Sequence, residues 1–202
     1  MIVALFLGYG KRIIPEKMMI ISVRTASIGY ALPGTVIAVG VIIPFAWFDR
    51  KIDSLMSSYF GISSGLILSG TIFAIMFAYV VRFLAVSLQT VESGLEKIKP
   101  SMDDAARSLG YRPREALMKV HIPLLKSSSL TALMIVFVDV MKELPATLIL
   151  RPFDFNTLAV RTFELASDER LADSSTSALA IVLAGLLPVI YLSQTISKTR
   201  LK

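Results

Sequence analysis

Three groups of residues have the types and spacing that chemistry requires. Gly61-Ile62-Ser63-Ser64-Gly65 fits G-x-S-x-G, the turn that presents a hydrolase serine. Asp139, Lys142 and Glu143 put three ionisable groups inside the apolar stretch 129–150, where one central charge costs roughly 2.5–3.5 kcal/mol on insertion scales. Segment 99–126, KPSMDDAARSLGYRPREALMKVHIPLLK, gathers acidic, small and basic residues around Gly110 and Pro113. Other chemistry is excluded by composition. With no cysteine and a single histidine, His121, disulfide frameworks, thiol nucleophiles and most zinc chemistry are out. No G-x-x-x-x-G-K-[ST] phosphate loop occurs in the chain, so an ATP site of that kind is excluded from it.

The elements that must position these groups belong to a membrane protein. The chain has 202 residues, 54% hydrophobic and 18% charged, with a mean hydropathy of +0.69. A soluble domain carries about 25% charged residues, so an ordinary cytosolic enzyme and a disordered chain are both disfavoured. Five apolar stretches stand out at 2–9, 31–48, 65–81, 129–150 and 178–191. A spanning helix needs about 20 apolar residues. The second and third stretches qualify directly, the fourth qualifies despite its charges, and the fifth qualifies if 192–196 is included. The first is too short and reads as the tail of a span, with the chain a piece of something longer. It lacks the basic start and small-residue cleavage site of a signal peptide.

Alternating spans put 10–30, 82–126 and the C-terminal tail on one side. That side holds fifteen of the 21 lysines and arginines, including Lys198, Arg200 and Lys202 of the tail. The positive-inside rule makes it cytoplasmic, and the net charge of +6 then needs no nucleic acid. Trp47 and Phe48 fall at the outer end of the second span and Tyr191 near the inner end of the last, as interfacial aromatics do. Segments 49–64 and 151–177 are the outer connections, with a short surface helix expected over 157–166 around Leu158, Phe163 and Leu165. Pro33, Pro44, Pro145 and Pro188 lie within or at the ends of spans, where bundles tolerate them.

This topology also disposes of the serine pattern. No strand precedes it and His121 falls across the membrane, so no triad assembles. Gly61 and Gly65 instead fit small-xxx-small helix packing. His121 reads as a helix-end residue, not a ligand or base.

The cytoplasmic segment encodes helix, turn, helix. Ser101 is the expected N-cap, with Asp103 and Asp104 in the first turn where carboxylates favour the helix dipole. Ala105, Ala106 and Leu109 form a small apolar face, Gly110 stops the helix, Pro113 starts the next, and Pro123 breaks it.

The same spacing resembles the EAA loop of binding-protein-dependent ABC importer permeases: Glu-Ala-Ala, three residues, Gly, nine residues, Ile, any residue, Leu-Pro. Asp104, Ala105, Ala106 and Gly110 match its first half, with Asp for Glu, and Val120, Ile122 and Pro123 match its second. Segment 139–173, the preceding MIVFVDVMKELPATL, and the Leu-Pro-Gly-Thr opening of 31–48 are similar to ferric-iron ABC permeases. The resemblance covers most of the chain and implies an all-α, methionine-permease-like fold. About four complete transmembrane helices and one truncated one would form a single partial permease domain over 1–202, similar to the C-terminal half of a two-half permease.

It further implies an importer subunit of the bacterial inner membrane, not an enzyme, with loop 82–128 and the C-terminus cytoplasmic. The partners would be an ABC ATPase dimer, an N-terminal permease half or a second copy, and a periplasmic binding protein. ATP and magnesium would sit on the ATPase, and this chain would bind no cofactor. Loop 99–126 would be the coupling element through Asp103, Asp104, Ala105, Ala106, Arg107, Leu109, Gly110, Val120, Ile122 and Pro123.

Asp139 pairs with Lys142 at i,i+3 and shares a face with Glu143 at i,i+4. With Pro145, these residues either line a translocation path, where carboxylates suit a hard cation such as Fe³⁺, or form a structural ion cluster. Arg151, Asp154, Asp168, Glu169 and Arg170 are expected either to face the delivering protein or to form a solvated loop. Thiamine, sulfate, molybdate or polyamine permeases, an inactive remnant, and an intramembrane hydrolase resting on Ser63 are the alternatives.

Overall fold

The computed structural model describes residues 1–200, with side chains to Tyr191 and at Gln194. The tail cations Lys198, Arg200 and Lys202 lie outside the described side chains. All regular structure among the described residues is helical, and the chain divides into two compact units, residues 1–31 with 83–136 and residues 32–82 with 137–202.

The first unit opens with α1 (Ile2–Ile13) and α2 (Lys17–Ile28). Helix α1 stops because Ile14 precedes Pro15 and must leave helical geometry. Its 12 residues reach only about 18 Å, short of a bilayer core. Both helices pack on the C-terminal part of α4 (Ile72–Glu96) around Ala4, Tyr9, Val23, Leu88, Val91, Leu95, Leu117 and Leu125. Small residues permit the closest approaches. A Cβ on Gly94 would lie 2.7 Å from Ser128 Oγ and 2.8 Å from Leu125 Cδ2. The unit continues through α5 (Pro100–Ser108), α6 (Pro113–Ala116), a π turn (Leu117–His121), α7 (Ile122–Leu124) and the start of α8 (Lys126–Met141).

The second unit contains α3 (Gly34–Phe60), the first part of α4, α9 (Pro145–Leu150), α10 (Leu158–Ser167) and α11 (Leu171–Arg200). Its core is Ile37, Ala38, Val41, Ala74, Ile75, Ala78, Ala146 and Leu150. Thr157 caps α10 by accepting from the Val160 N–H. The Thr162 hydroxyl donates 2.8 Å to Ser177 Oγ, tying α10 to α11. The surface helix expected over 157–166 is therefore present, although Val160 and Leu165 are buried. Arg151 ion-pairs Glu164 at 2.8 Å and also bonds Asn156, so it is tied into its own loop.

Among the described residues, two helices, α4 and the 171–191 part of α11, are long and apolar enough to cross a membrane. The segments 113–124 and 126–141, bent by 74°, make a third by length if counted as one span.

Several expected boundaries move. The stretch 65–81 is not one helix: α4 begins at Ile72 and runs on to Glu96, so Arg82 sits inside it and 82–96 is not a loop. Stretch 31–48 becomes the first part of α3, which continues to Phe60, through what read as an outer turn. Gly61 and Gly65 have φ of +67° and +62° with nothing within 4 Å of a Cβ. They are left-handed turn residues, which overturns the helix-packing reading.

The reason lies in two carboxylates one turn apart on α3. Asp49, 1% exposed, accepts the N–H groups of Ile67, Leu68 and Ser69 at 3.2, 2.8 and 2.8 Å, and the Ser69 hydroxyl at 2.5 Å. Asp53 accepts the Ser63 hydroxyl at 2.7 Å and the N–H groups of Ser64 and Gly65. Segment 61–71 is thereby folded back on α3 instead of extending α4. Ser63 is one of the residues that tie this loop down.

Burial raises the Asp49 carboxyl, but the Ser69 hydroxyl and three N–H donors outweigh it and hold its pKa below the ordinary value. The Ser63 hydroxyl and the Gly65 and Ser64 N–H groups lower that of Asp53. A depressed folded-state pKa gives stability that is complete above the unfolded value of about 3.9 and lost as pH falls through the folded value. Asp49→Ala is expected to cost about 2–4 kcal/mol at neutral pH and to open 61–71 to protease. Thermal unfolding of detergent-solubilised protein between pH 7 and 3 should show the wild type converging on the variant at the acid end. Parallel curves would refute the role given to Asp49.

Candidate functional site

The knuckle 99–125 is built by its own sequence. Pro100 occupies the first position of α5, so Lys99, held extended ahead of a proline, is the N-cap. Ser101 lies inside the helix and does not cap it, contrary to the sequence expectation. The helix closes with the Gly110 N–H on the Arg107 carbonyl at 2.9 Å and the Tyr111 N–H on the Ala106 carbonyl at 3.0 Å. This is a Schellman turn with Gly110 at φ +80°. Pro113 starts α6, where the Glu115 carboxylate accepts the Arg112 N–H at 2.9 Å. Pro123 has no N–H and would crowd the carbonyl four residues back. Just before it the backbone widens into the π turn, with the Ile122 N–H bonded to the Leu117 carbonyl.

This backbone divides the expected coupling residues between two sides. Asp104, Ala105, Arg107, Leu109, Gly110 and Pro123 are exposed, Val120 and Ile122 are half-buried, and Ala106 is buried. Leu109 is 73% exposed, and Met102 and Met118 are exposed with it. Arg107 and Asp104 pair across the surface at 3.2 Å, a contact of little energetic weight.

Asp103 turns the other way. Its Oδ2 accepts Arg12 Nε at 2.9 Å and Nη2 at 2.7 Å, and its Oδ1 lies 2.7 Å from His121 Nε2. A carboxylate only accepts, so Nε2 carries the imidazole proton in this contact. The same guanidinium donates to the carbonyls of Leu95 and Ile98 at the end of α4. His121 is fully buried, its ring 4.8 Å from that of Tyr9. It is the last residue of the π turn, the helix-end position expected from the sequence, and its side chain is internal to the knuckle. Arg12 and Tyr9 were not singled out by sequence reasoning. Their partners stand 91 and 112 positions away in the chain, and no local pattern links them.

The second expected group lies in the second unit. Asp139 and Lys142 form the anticipated i,i+3 pair at 2.9 Å, with Lys142 mostly exposed. The continuous span 129–150 does not exist. Helix α8 ends at Met141, Lys142 and Glu143 occupy the break, and α9 restarts at Pro145, which suits a first helical position.

Glu143 is buried at this break. Its Oε2 lies 3.3 Å from Arg82 Nε, and its Oε1 accepts the Ala146 N–H at the start of α9. Arg82 also donates to the Leu32 carbonyl at 3.3 Å. The Thr147 hydroxyl donates to the Glu143 carbonyl at 2.9 Å, so the Tyr79 hydroxyl, 2.5 Å away, donates to Thr147 Oγ1. Arg82 was counted only as a loop cation in the sequence. Among the described residues, no group of three His, Asp or Glu is placed to hold a metal ion.

Comparison with known proteins gives these sites a context. The family model described as binding-protein-dependent transport system inner membrane component matches residues 1–202. An Fe(3+)-transport system permease protein of Haemophilus influenzae is 30% identical over 165 residues, 82% of this chain and 29% of the relative. A protein of Salmonella typhimurium named for 2-aminoethylphosphonate transport as a permease is 28% identical over 156 residues, 77% of this chain and 52% of the relative. The chain thus matches only about a third to a half of each relative's length.

Gly34 is the position on which the second group depends sterically. A Cβ there would lie 2.6 Å from Glu143 Oε1, 2.7 Å from Arg82 Nη1 and 3.2 Å from the Ala146 nitrogen. Gly34→Ala is therefore expected to destabilise the protein by about 1–3 kcal/mol, the usual cost of overpacking. Thermal unfolding in detergent checks this, and an unchanged midpoint would contradict the close approach of α3 to the Arg82–Glu143 pair.

Proposed function

Because the chain belongs to the family of binding-protein-dependent transport system inner membrane components, a transport component and not an enzyme, we propose that it acts as a permease subunit of an ABC importer. It receives substrate from a periplasmic binding protein and passes it to the cytoplasm. The energy comes from a separate ATPase dimer that carries ATP and magnesium, and a complementary permease half or second copy completes the pathway. The knuckle 99–126 docks on the ATPase. The observation that carries this reading is the Schellman turn at Gly110, which leaves Asp104, Arg107 and Leu109 exposed together on one ordered projection. Such a patch, apolar at its centre and polar at its rim, has the anatomy of a protein interface. The excess of lysine and arginine around the knuckle supports a cytoplasmic setting.

Ferric iron is the proposed substrate, supported by the Haemophilus relative. The relative named for a phosphonate supplies the competing case. Asp139, Lys142, Glu143 and Pro145 are the proposed pathway residues, with Glu143 held by Arg82 and Asp139 by Lys142.

Leu109→Asp and Gly110→Val are expected to lower co-purification of the ATPase at least tenfold while leaving the amount of inserted permease unchanged. Retained association would remove the docking role from the knuckle. Uptake of radiolabelled ferric iron by cells with and without the chain, measured beside radiolabelled 2-aminoethylphosphonate, decides the substrate. Uptake of the phosphonate alone would overturn the iron assignment.

A further inference from the structure

The docking reading leaves unexplained how a displaced knuckle would move anything else, and Asp103 answers this. It is adjacent to Asp104 in sequence, yet it points away from the exposed face. We propose that Arg12, Asp103 and His121 form a brace that makes the knuckle, the C-terminal end of α1 and the end of α4 one rigid lever. This inference rests on the docking reading and assigns Asp103 a positioning role where sequence alone placed it among the docking residues.

The geometry is specific to an arginine. Nε and Nη2 grip one carboxylate oxygen of Asp103 from α5, Nη2 also reaches the Ile98 carbonyl, and Nη1 bonds the Leu95 carbonyl. One side chain from the last turn of α1 therefore holds the last turn of α4, the connection after it and the first turn of α5. A lysine ammonium has the charge but not the planar fork, and cannot make this set of contacts. His121, from the π turn beyond α6, takes the other oxygen of Asp103 at 2.7 Å. Its ring packs on Tyr9 of α1, which brings the second half of the knuckle to the same helix. Arg12 and Asp103 side chains are 17% and 14% exposed, so water competes weakly for these bonds. A second cross-link reinforces the joint: Lys11, the neighbour of Arg12, pairs with Glu92 of α4 at 2.6 Å. Two successive cations of α1 thus grip two separate turns at the end of α4 and the start of α5.

The chain has no cysteine, so a labelled pair can be introduced cleanly. Ile14→Cys beyond the end of α1 and Ser108→Cys at the end of α5 are both exposed positions. Spin labels there should report one narrow distance in the full transporter, and that distance should stay within about 2 Å between nucleotide-free and ATP-bound states. Introducing Arg12→Lys should broaden the distribution and lower substrate moved per ATP hydrolysed at least fivefold, with ATPase co-purification unchanged. Asp103→Asn should do the same, and Asp103→Glu should recover part of the coupling ratio. A nucleotide-dependent change of several ångström in the otherwise unsubstituted labelled protein would overturn the brace, as would a narrow distribution in Arg12→Lys. Loss of ATPase association in Asp103→Asn equal to that in Leu109→Asp would return Asp103 to the docking surface. The co-purification arm judges docking and the distance arm judges the brace, so either can fail alone. The nucleotide comparison needs no brace variant to fold.

Discussion

A helix that starts in apolar surroundings leaves N–H groups with no partner, and each one stranded away from water costs several kcal/mol. This constraint is sharpest in a chain meant for lipid, where irregular backbone survives only if the protein itself satisfies it. The breaks in the second unit meet it with carboxylates. Asp49 collects three consecutive N–H groups ahead of α4. Glu143 bonds the Ala146 N–H at the start of α9 while its charge is met by Arg82. Each of these carboxylates holds a piece of backbone in place. The interruption at 142–144 is in this sense a built joint, and Gly34 is the small residue that lets α3 lie against it.

The first unit solves the complementary problem, the carbonyl groups at a helix C-terminus. Arg12 adds donors to the Leu95 carbonyl in the last turn of α4 and to the Ile98 carbonyl just beyond it. A cation at that position is also favoured by the helix dipole. Because Nε and Nη2 of the same guanidinium also bond one carboxylate oxygen of Asp103, the end of α4 and the start of α5 are held by one side chain. Removing either partner would leave a largely buried charge without its counterpart, which is the costly way to break such a pair.

What could be read from the sequence was whatever is encoded within a few residues. The Gly110 stop, the Pro113 start, the i,i+3 pairing of Asp139 with Lys142 and the helix after Thr157 follow from local stereochemistry, and the structure has them. The family resemblance rested on the same local spacing around 104–123, and the family match over 1–202 agrees with it. Misread features were those decided at a distance. Residues 65–71 are apolar enough to continue a span, but hydropathy cannot register that Asp49 and Asp53 pull them back onto α3. Stretch 129–150 has span length, but its division depends on Glu143 meeting Arg82, 61 positions earlier. The Ser101 cap was lost to a neighbour: Pro100 fits the first helical turn better than it fits any position before it.

The adjacent acids Asp103 and Asp104 show how one motif can serve two ends. Successive residues on an α-helix are about 100° apart, so neighbours in sequence cannot share a face. Turning Asp103 inward toward Arg12 fixes the rotation of α5 about its own axis. That rotation sends Asp104 and, one turn later, Arg107 outward, and it sends Ala106 inward with Asp103. The small side chain of Ala106, 3% exposed, is what permits the turn to close against the unit, with the Tyr111 N–H on its carbonyl. The exposed face is therefore set by a contact none of its residues makes. A larger residue at 106 would disturb this face, even with every outward-facing residue intact.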